Sequence, residues 1–399
     1  MSFADFYGNA PVLDRLREML ASDRFPHAVV LAGPRGAGKY TLALMLARAM
    51  NCLGRSDDHP STPKRRVPGT PGDRVIVSSG DRATGRPELT FIAADGLPDF
   101  CGKCENCRRI GESQDLDARF AEAVEARESL KDTDKRETRI LVQTHPDVLV
   151  IPPDPPQMMI KIDQVRHVNQ SIRYKPAAAR RRVYIFSDAA FMKEAANALL
   201  KVLEEPPEYA TIFLLVRNPG ELLPTIRSRS VIVPLAALPV KQIEKVLAER
   251  RPQWGARQRE LVARLSGGAV GRALAFDLEH YVAARKDAMA LLHAAAGSGD
   301  HSELFRTTET YRGGEGKEKT DHLVSAVYSL LKDLLALSSG TPDLVHNTDV
   351  MAELKLLAAS VDFQWIAQAA QQLGQVESGM RRNLLRPLSL DAFALGLER

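Results

Sequence analysis

The sequence contains no apolar run approaching the roughly eighteen residues that a membrane-spanning helix requires. Its start, Met1-Ser2-Phe3-Ala4-Asp5, has neither a basic segment nor the long apolar stretch of a secretory signal. The formal charge is only +4 over 399 residues, so composition alone indicates neither a nucleic-acid partner nor a membrane surface. We therefore expect a cytoplasmic protein with no membrane partner.

Cysteine is also scarce. The chain has four, and three of them fall within seven residues, from Cys101 to Cys107. Such clustering is more typical of a metal site in a reducing compartment than of disulfides. The apolar content of 44% and charged content of 26% are ordinary for a globular protein, and the length suggests two or three domains.

A glycine-rich stretch, Gly33 to Lys39, follows the apolar run Ala28 to Leu31 and precedes an apolar helical segment, Leu42 to Met50. This order of strand, loop and helix is that of a phosphate-binding P-loop. Its glycines let backbone N–H groups wrap phosphate oxygens, and its lysine reaches the β and γ phosphates. We expect ATP or ADP to contact a set comprising Gly33, Gly36, Gly38, Lys39, Tyr40 and Thr41.

Tyr40 departs from the P-loop pattern, which has Ser or Thr after the lysine to bind Mg²⁺ through its hydroxyl. A phenol oxygen extends several ångströms too far for that role. Thr41 lies one step along, about 100° round the helix, and should point elsewhere. The loop therefore predicts nucleotide binding but makes hydrolysis doubtful.

Further short apolar runs alternate with helical segments as far as Val233. Strands without polar alternation, separated by helices, are typical of a parallel sheet covered on both faces. From Leu238 onward only helical patterns persist. The predicted architecture is an α/β P-loop nucleotide domain with a parallel sheet over 1–237, carrying an insertion at 52–140, then a small helical lid over 238–280 and an all-α C-terminal domain over 281–399. Within the insertion, Leu53 to Asp99 is predicted to be flexible and Ile110 to Thr138 a solvated helical excursion.

The strand Val183 to Phe186 is the expected source of the carboxylates that hold Mg²⁺ and orient water. Ser187 stands where the Mg²⁺-binding Asp is expected, and Asp188 where the Glu is expected. Tyr40 and Ser187 are thus two separate departures from the residues that hold Mg²⁺ in P-loop proteins.

Cys52, Cys101, Cys104 and Cys107 suit a closed tetrahedral Zn²⁺ site, because the tight spacing lets one loop supply three thiolates. His59 or His145 remain alternative ligands. No open coordination position is implied, so the metal is predicted to be structural.

Arg229 follows the short helical segment Leu222 to Arg227 and precedes a strand. An arginine projected there could reach the nucleotide of a neighbouring subunit as an arginine finger. An exposed arginine taken alone is usually only a solvated surface charge.

In combination these motifs resemble the delta-prime family of bacterial DNA polymerase III clamp-loader subunits, a branch of the AAA+ superfamily. The resemblance spans some 240 residues and rests on a set of short motifs in order: His27, Gly33 to Lys39, Cys52, His145-Pro146-Asp147, Ile162 to Arg166, Asn197 to Lys201, Leu203 to Pro207, Leu222 to Arg229, Ser266-Gly267-Gly268 and Gly271-Arg272.

The resemblance implies that this chain is a rigid, non-motor subunit of a heteropentamer that also contains gamma/tau and delta subunits. The assembled heteropentamer opens a sliding clamp and places it on primed DNA. It implies that Arg229 acts on a neighbour's ATP and that Asn218 and Arg272 are sensor residues. It also implies that the four cysteines form a zinc module and that the helical C-terminal domain over 281–399 is an oligomeric collar of an AAA+ protein. Ser230 replaces the cysteine that follows this arginine in the family.

Two alternatives have different sequence signatures. A gamma/tau-type ATPase motor would carry Gly-Lys-Thr and an Asp-Glu pair, where this chain has Gly-Lys-Tyr and Ser-Asp. A free-standing P-loop kinase would have a substrate pocket and no use for a helical collar.

Overall fold

The computed structural model describes residues 2–54, 91–298, 300–312, 316–380 and 385–397, and these divide into two compact units, Met1–Ala237 and Leu238–Arg399. Much of the predicted flexible insertion, residues 55–90, lies outside the described residues. The predicted three-domain division, with a boundary at 280, stays a prediction.

The first unit is built on one six-stranded sheet in the order β2-β3-β4-β5-β1-β6. All neighbouring pairs are parallel except β2 and β3, which are antiparallel. The strands are β1 (Ala28–Ala32), β2 (Val142–His145), β3 (Val148–Ile151), β4 (Arg182–Phe186), β5 (Ala210–Val216) and β6 (Val231–Pro234). The predicted mainly parallel sheet is confirmed, but sequence patterning missed β2, which is too short and too polar to stand out.

Helices cover both faces of this sheet. Alternate residues of β1 enter two separate cores, with Val29 and Leu31 on one side and Val30 on the other. The helices of this unit are α1 (Ala10–Ala21), α2 (Lys39–Asn51), α3 (Glu105–Gly111), α4 (Leu116–Glu128), α5 (Asp132–Glu137), α6 (Ile162–Ser171), α7 (Lys193–Glu204) and α8 (Pro224–Arg227). Both α4 and α5 fall inside the predicted helical excursion.

A buried ion pair anchors the excursion to the sheet domain. Arg127, near the end of α4, donates to the buried carboxylate of Asp154 at 2.8 Å, and Lys161 Nζ donates to the same oxygen at 2.7 Å. An acid buried in this way is stable because both cations neutralise it. The excursion is therefore helical, as predicted, but it is pinned to the sheet domain.

The second unit is all-α in the residues described, as predicted from the loss of strand patterns after Leu238. Its helices are α9 (Val240–Arg250), α10 (Ala256–Leu265), α11 (Val270–Leu274), α12 (Leu278–Ala295), α13 (His301–Glu309), α14 (Gly316–Ser338), α15 (Met351–Ser360), α16 (Phe363–Met380) and α17 (Arg386–Leu395). One apolar core runs through the unit, from Ile243 to Leu397. No helix among the described residues is long and apolar enough to cross a membrane.

Candidate nucleotide and metal sites

The P-loop lies at the carboxyl end of β1, the edge of a parallel sheet at which ligands generally bind. Gly36 and Gly38 have positive φ angles of 83° and 84°, a backbone conformation that side chains disfavour. A Cβ on Gly33 would lie only 2.8 Å from the carbonyl oxygen of Leu235, so this position has no room for a side chain. The loop conformation therefore depends on its glycines.

Lys39 is the first residue of α2, and its ammonium donates to the carbonyl oxygens of Gly33 at 2.6 Å and Pro34 at 2.8 Å. Burial lowers the pKa of Lys39, while the charge of Asp188 acts to raise it and that of Arg217 to lower it. Asp188 follows β4 and Arg217 follows β5, so neighbouring strand ends bring these charges to the loop. Arg217 was not identified from sequence.

Tyr40 does not point its hydroxyl into the loop. The phenol donates to the carbonyl oxygen of Ser113 at 2.6 Å, and burial raises the pKa of Tyr40. Ser113 lies just after α3, and its hydroxyl lies 2.7 Å from that of Thr144 in β2. The side chain at the Mg²⁺ position of the P-loop motif is thus committed to a contact within the protein.

The other residues predicted near the nucleotide differ in burial and in hydrogen-bond partners. Thr41 is half-buried on α2, and Ser187 donates its backbone N–H to Ile151 at 3.1 Å. Asn218 is exposed, and its side-chain oxygen accepts from the backbone of Gly220 at 2.9 Å, so the amide caps its own turn. Arg272 is exposed on α11 in the second unit.

The four cysteines meet at the end of α2. Their sulfur atoms all lie within 4.8 Å of one another, and Cys52, Cys101 and Cys107 are buried. Backbone N–H groups point at the sulfurs: Cys104 donates to Cys101 at 3.3 Å, and Cys101 to Cys52 at 3.3 Å. Such donors stabilise thiolates, the form that binds metal.

The same cluster favours deprotonation at one sulfur. The neighbouring thiol of Cys107 holds the pKa of Cys52 at about 5, and the pKa of Cys107 is raised in turn. Four converging sulfurs with no open position are the donor set of a structural tetrahedral metal. The residues present fit Zn²⁺.

His145, an alternative ligand in the prediction, has other partners at both ring nitrogens. It is fully buried, and its Nδ1 accepts from the backbone N–H of Asp147 at 3.1 Å while its Nε2 lies 3.1 Å from Asn106 Oδ1. Burial lowers the pKa of His145. Asn106 also donates to the backbone of Asn51, next to Cys52, at 2.9 Å, so this histidine supports the cysteine cluster indirectly. The other alternative ligand, His59, lies outside the described residues.

Arg229 is exposed, as predicted, in the turn that follows α8. Its guanidinium forms an ion pair with Glu204, the last residue of α7, with Nη2 and Oε1 2.9 Å apart. Nη1 donates to the carbonyl oxygen of Thr225 at 3.1 Å. Sequence reasoning missed Glu204, although an acidic residue at the end of a predicted helix was an available signal.

The chain is similar in sequence to several subunits of DNA polymerase III. The family described as "DNA polymerase III, delta subunit" matches residues 89–239. The tau subunit of DNA polymerase III from Escherichia coli K12 is 26% identical over 94% of this chain and 43% of its own length. The delta′ subunit of the same organism is 34% identical over 41% of this chain and 48% of its own length.

Similar solved structures have low identity and low TM-scores. A gamma subunit-related protein of Thermotoga maritima is 24% identical, covers 62% of this chain and 82% of its own, and has a TM-score of 0.30. The T. maritima RuvB Holliday junction branch migration motor is 14% identical over 89% of this chain and 88% of its own, with a TM-score of 0.36.

The chain spans less than half the length of the E. coli relatives it matches. Its homologues are tau/gamma and delta′ subunits of DNA polymerase III, and the stretch 89–239 is similar in sequence to the delta-subunit family. Both kinds of subunit are among these relatives, so the expected likeness to delta-prime in particular stays a prediction.

Proposed function

We propose that this chain is a non-motor subunit of a DNA polymerase III clamp loader. In this role it helps to place a sliding clamp on primed DNA in the cytoplasm, within a heteropentamer that contains gamma/tau and delta subunits. Support comes from the delta-subunit match over residues 89–239 and from the tau and delta′ relatives. The helical second unit would supply the lid at 238–280 and the oligomeric collar at 281–399.

The hydrogen bond from Tyr40 to Ser113 carries the non-motor assignment. Hydrolysis of ATP by P-loop proteins depends on Mg²⁺ held by the loop hydroxyl and by an acidic residue on a neighbouring strand. Here the loop hydroxyl is bound elsewhere, and uncharged Ser187 follows β4. Gly33, Gly36, Gly38 and Lys39 retain the means to hold ATP or ADP, so we propose nucleotide binding with little turnover.

Arg229 is proposed to act in trans on the ATP of an adjacent motor subunit. There its guanidinium would stabilise the negative charge on the transferring phosphoryl group while water attacks and ADP leaves. Its exposure and its place on a short hydrogen-bonded turn support this role. The cysteine cluster is proposed to hold one structural Zn²⁺ that fixes α3 against the end of α2.

A gamma/tau-type motor is the second candidate. It is favoured by the intact loop glycines with Lys39 and by the match to tau over 94% of the chain. Steady-state ATPase measurements on the purified chain, with Mg²⁺, clamp and primed DNA present, separate the two. We expect negligible turnover, whereas a rate comparable to that of a gamma-type subunit would establish the motor.

A second measurement tests the loader assignment itself. The chain is mixed with purified gamma/tau-type and delta-type subunits of the same organism and analysed by gel filtration. We expect a stable complex whose clamp- and DNA-stimulated ATPase depends on this chain. Failure to form any complex would refute the assignment.

A further inference from the structure

Glu204 and Arg229 lie on different elements that are fixed in the same core. Glu204 ends α7, where Leu203 is buried, and Arg229 follows α8, where Ile226 is fully buried. Both apolar residues belong to the core on the face of the sheet that also contains Val30. The two charged side chains therefore project from elements that are anchored in the same apolar core.

Glu204 is unfavourable for its own helix. The last turn of a helix carries partial negative charge, so an acid there is repelled and cations are preferred. The chain nevertheless places Glu204 and Glu205 in succession at the end of α7. Glu204 thus opposes the local preference of its helix, and the cation that it contacts is Arg229 of another element.

The ion pair contributes little to folding. The side chains of Arg229 and Glu204 are 37% and 52% exposed, and solvent screens pairs of this kind strongly. What the pair does provide is orientation. Glu204 holds Nη2 and the Thr225 carbonyl holds Nη1, so two acceptors on different elements fix the plane of the guanidinium.

We propose that Glu204 is a positioning residue for Arg229. It holds the guanidinium extended and oriented before the neighbouring subunit's nucleotide arrives, so that less rotamer freedom is lost on contact with phosphate. A guanidinium has five N–H donors, and those not engaged by Glu204, Thr225 and the Ser228 hydroxyl remain for a phosphate oxygen. This inference rests on the proposed function of Arg229 in trans.

The test is a double-mutant cycle in the assembled loader, with Mg²⁺-ATP, clamp and primed DNA. Arg229→Ala is expected to lower kcat at least tenfold. Glu204→Gln is expected to lower kcat by about two- to fivefold, the range that an exposed charge pair supports, with KM for ATP unchanged. In the Arg229→Ala background, Glu204→Gln should have no further effect, because its target is gone.

Glu205→Gln is the matched control, since Glu205 is the neighbouring exposed acid and should leave kcat unchanged. Gel filtration and thermal melting should show normal assembly and folding for every variant. If Arg229→Ala lowers kcat but Glu204→Gln does not, the positioning role is refuted and the finger stands. An equal loss from Glu204→Gln with and without Arg229 also refutes it. If Arg229→Ala itself has no effect, the finger assignment fails first.

Discussion

The hydroxyl of Tyr40 donates to the carbonyl oxygen of Ser113 over 2.6 Å, although 73 positions separate the two residues. The contact ties the start of α2 to the segment after α3. At the other end of α2, Cys52 joins the cysteine cluster that brackets the start of α3. The helix that carries the P-loop lysine is thus held at both ends by contacts with α3 and the residues that flank it.

Tyr40 should make nucleotide binding insensitive to Mg²⁺. A fluorescent ADP analogue is expected to bind the wild-type chain with Kd values that agree within about threefold in Mg²⁺ and in EDTA. The Tyr40→Thr, Ser187→Asp double variant restores a hydroxyl and a carboxylate, and it should bind at least about tenfold more tightly with Mg²⁺.

Tyr40→Phe serves as the control for this measurement. It removes only the hydrogen bond to Ser113, so it should lower the free energy of unfolding by about 1 kcal/mol without creating Mg²⁺ dependence. Strong Mg²⁺ dependence in the wild-type chain would show that another residue completes the metal position.

The cysteine cluster should contain close to one Zn²⁺ per chain by elemental analysis. Cys104→Ser should abolish most of this content and lower the melting temperature by roughly 5–10 °C, because binding of a structural metal is coupled to folding. Lys103→Ala is the matched control, since this exposed side chain can be removed while its backbone N–H still points at Cys101. Equal zinc content in both variants would exclude Cys104 as a ligand.

Asp147 should be important for folding of the first unit. Its buried carboxylate accepts from the backbone N–H groups of Ala177, Ala178 and Ala179 at 2.7–3.0 Å. Asp147→Ala leaves these donors unsatisfied, so the free energy of unfolding should fall by about 3 kcal/mol or more. Hydrogen exchange of residues 177–179 should accelerate in parallel.

The control for Asp147 is Asp163→Ala, which removes an exposed acid paired with Arg166. It should change stability by less than about 0.5 kcal/mol. Similar losses from the two substitutions would contradict a special role for Asp147.

Asp333 should make the second unit sensitive to acid. Burial acts to raise the pKa of Asp333, but hydrogen bonds from His346 and Asn347 outweigh it, and the pKa is lowered. A carboxylate whose pKa is lowered by folding stabilises the folded state at pH values above its unfolded pKa of about 3.9. This stabilisation is lost as the pH falls through the pKa of the folded state. The stability difference between wild type and Asp333→Asn should therefore be largest near neutral pH and shrink below about pH 4.

Tryptophan fluorescence can follow this prediction in the full chain, because both tryptophans, Trp254 and Trp365, belong to the second unit. Asp343→Asn changes an exposed acid and should leave the pH dependence as it is in wild type. If the difference in stability between wild type and Asp333→Asn does not vary with pH, the Asp333 carboxylate is not the group that titrates.

The sequence by itself determined the features that depend on neighbours along the chain. Glycines and a lysine at fixed spacing define the P-loop, three close cysteines define most of a candidate metal site, and apolar runs without alternation define buried parallel strands. These patterns are readable because backbone geometry and burial constrain residues only a few positions apart. The antiparallel β2 has too few residues for such a pattern.

Only the tertiary structure decided which distant groups meet. The substitution at Tyr40 indicated a missing Mg²⁺ ligand, but its partner Ser113 lies on another element. Arg229 was recognisable as an exposed arginine, whereas its pairing with Glu204 required the packing of α8 beside α7. Side-chain contacts of this kind depend on how helices and strands pack in three dimensions. The residues that meet are far apart in the sequence, so no local sequence pattern predicts their contact.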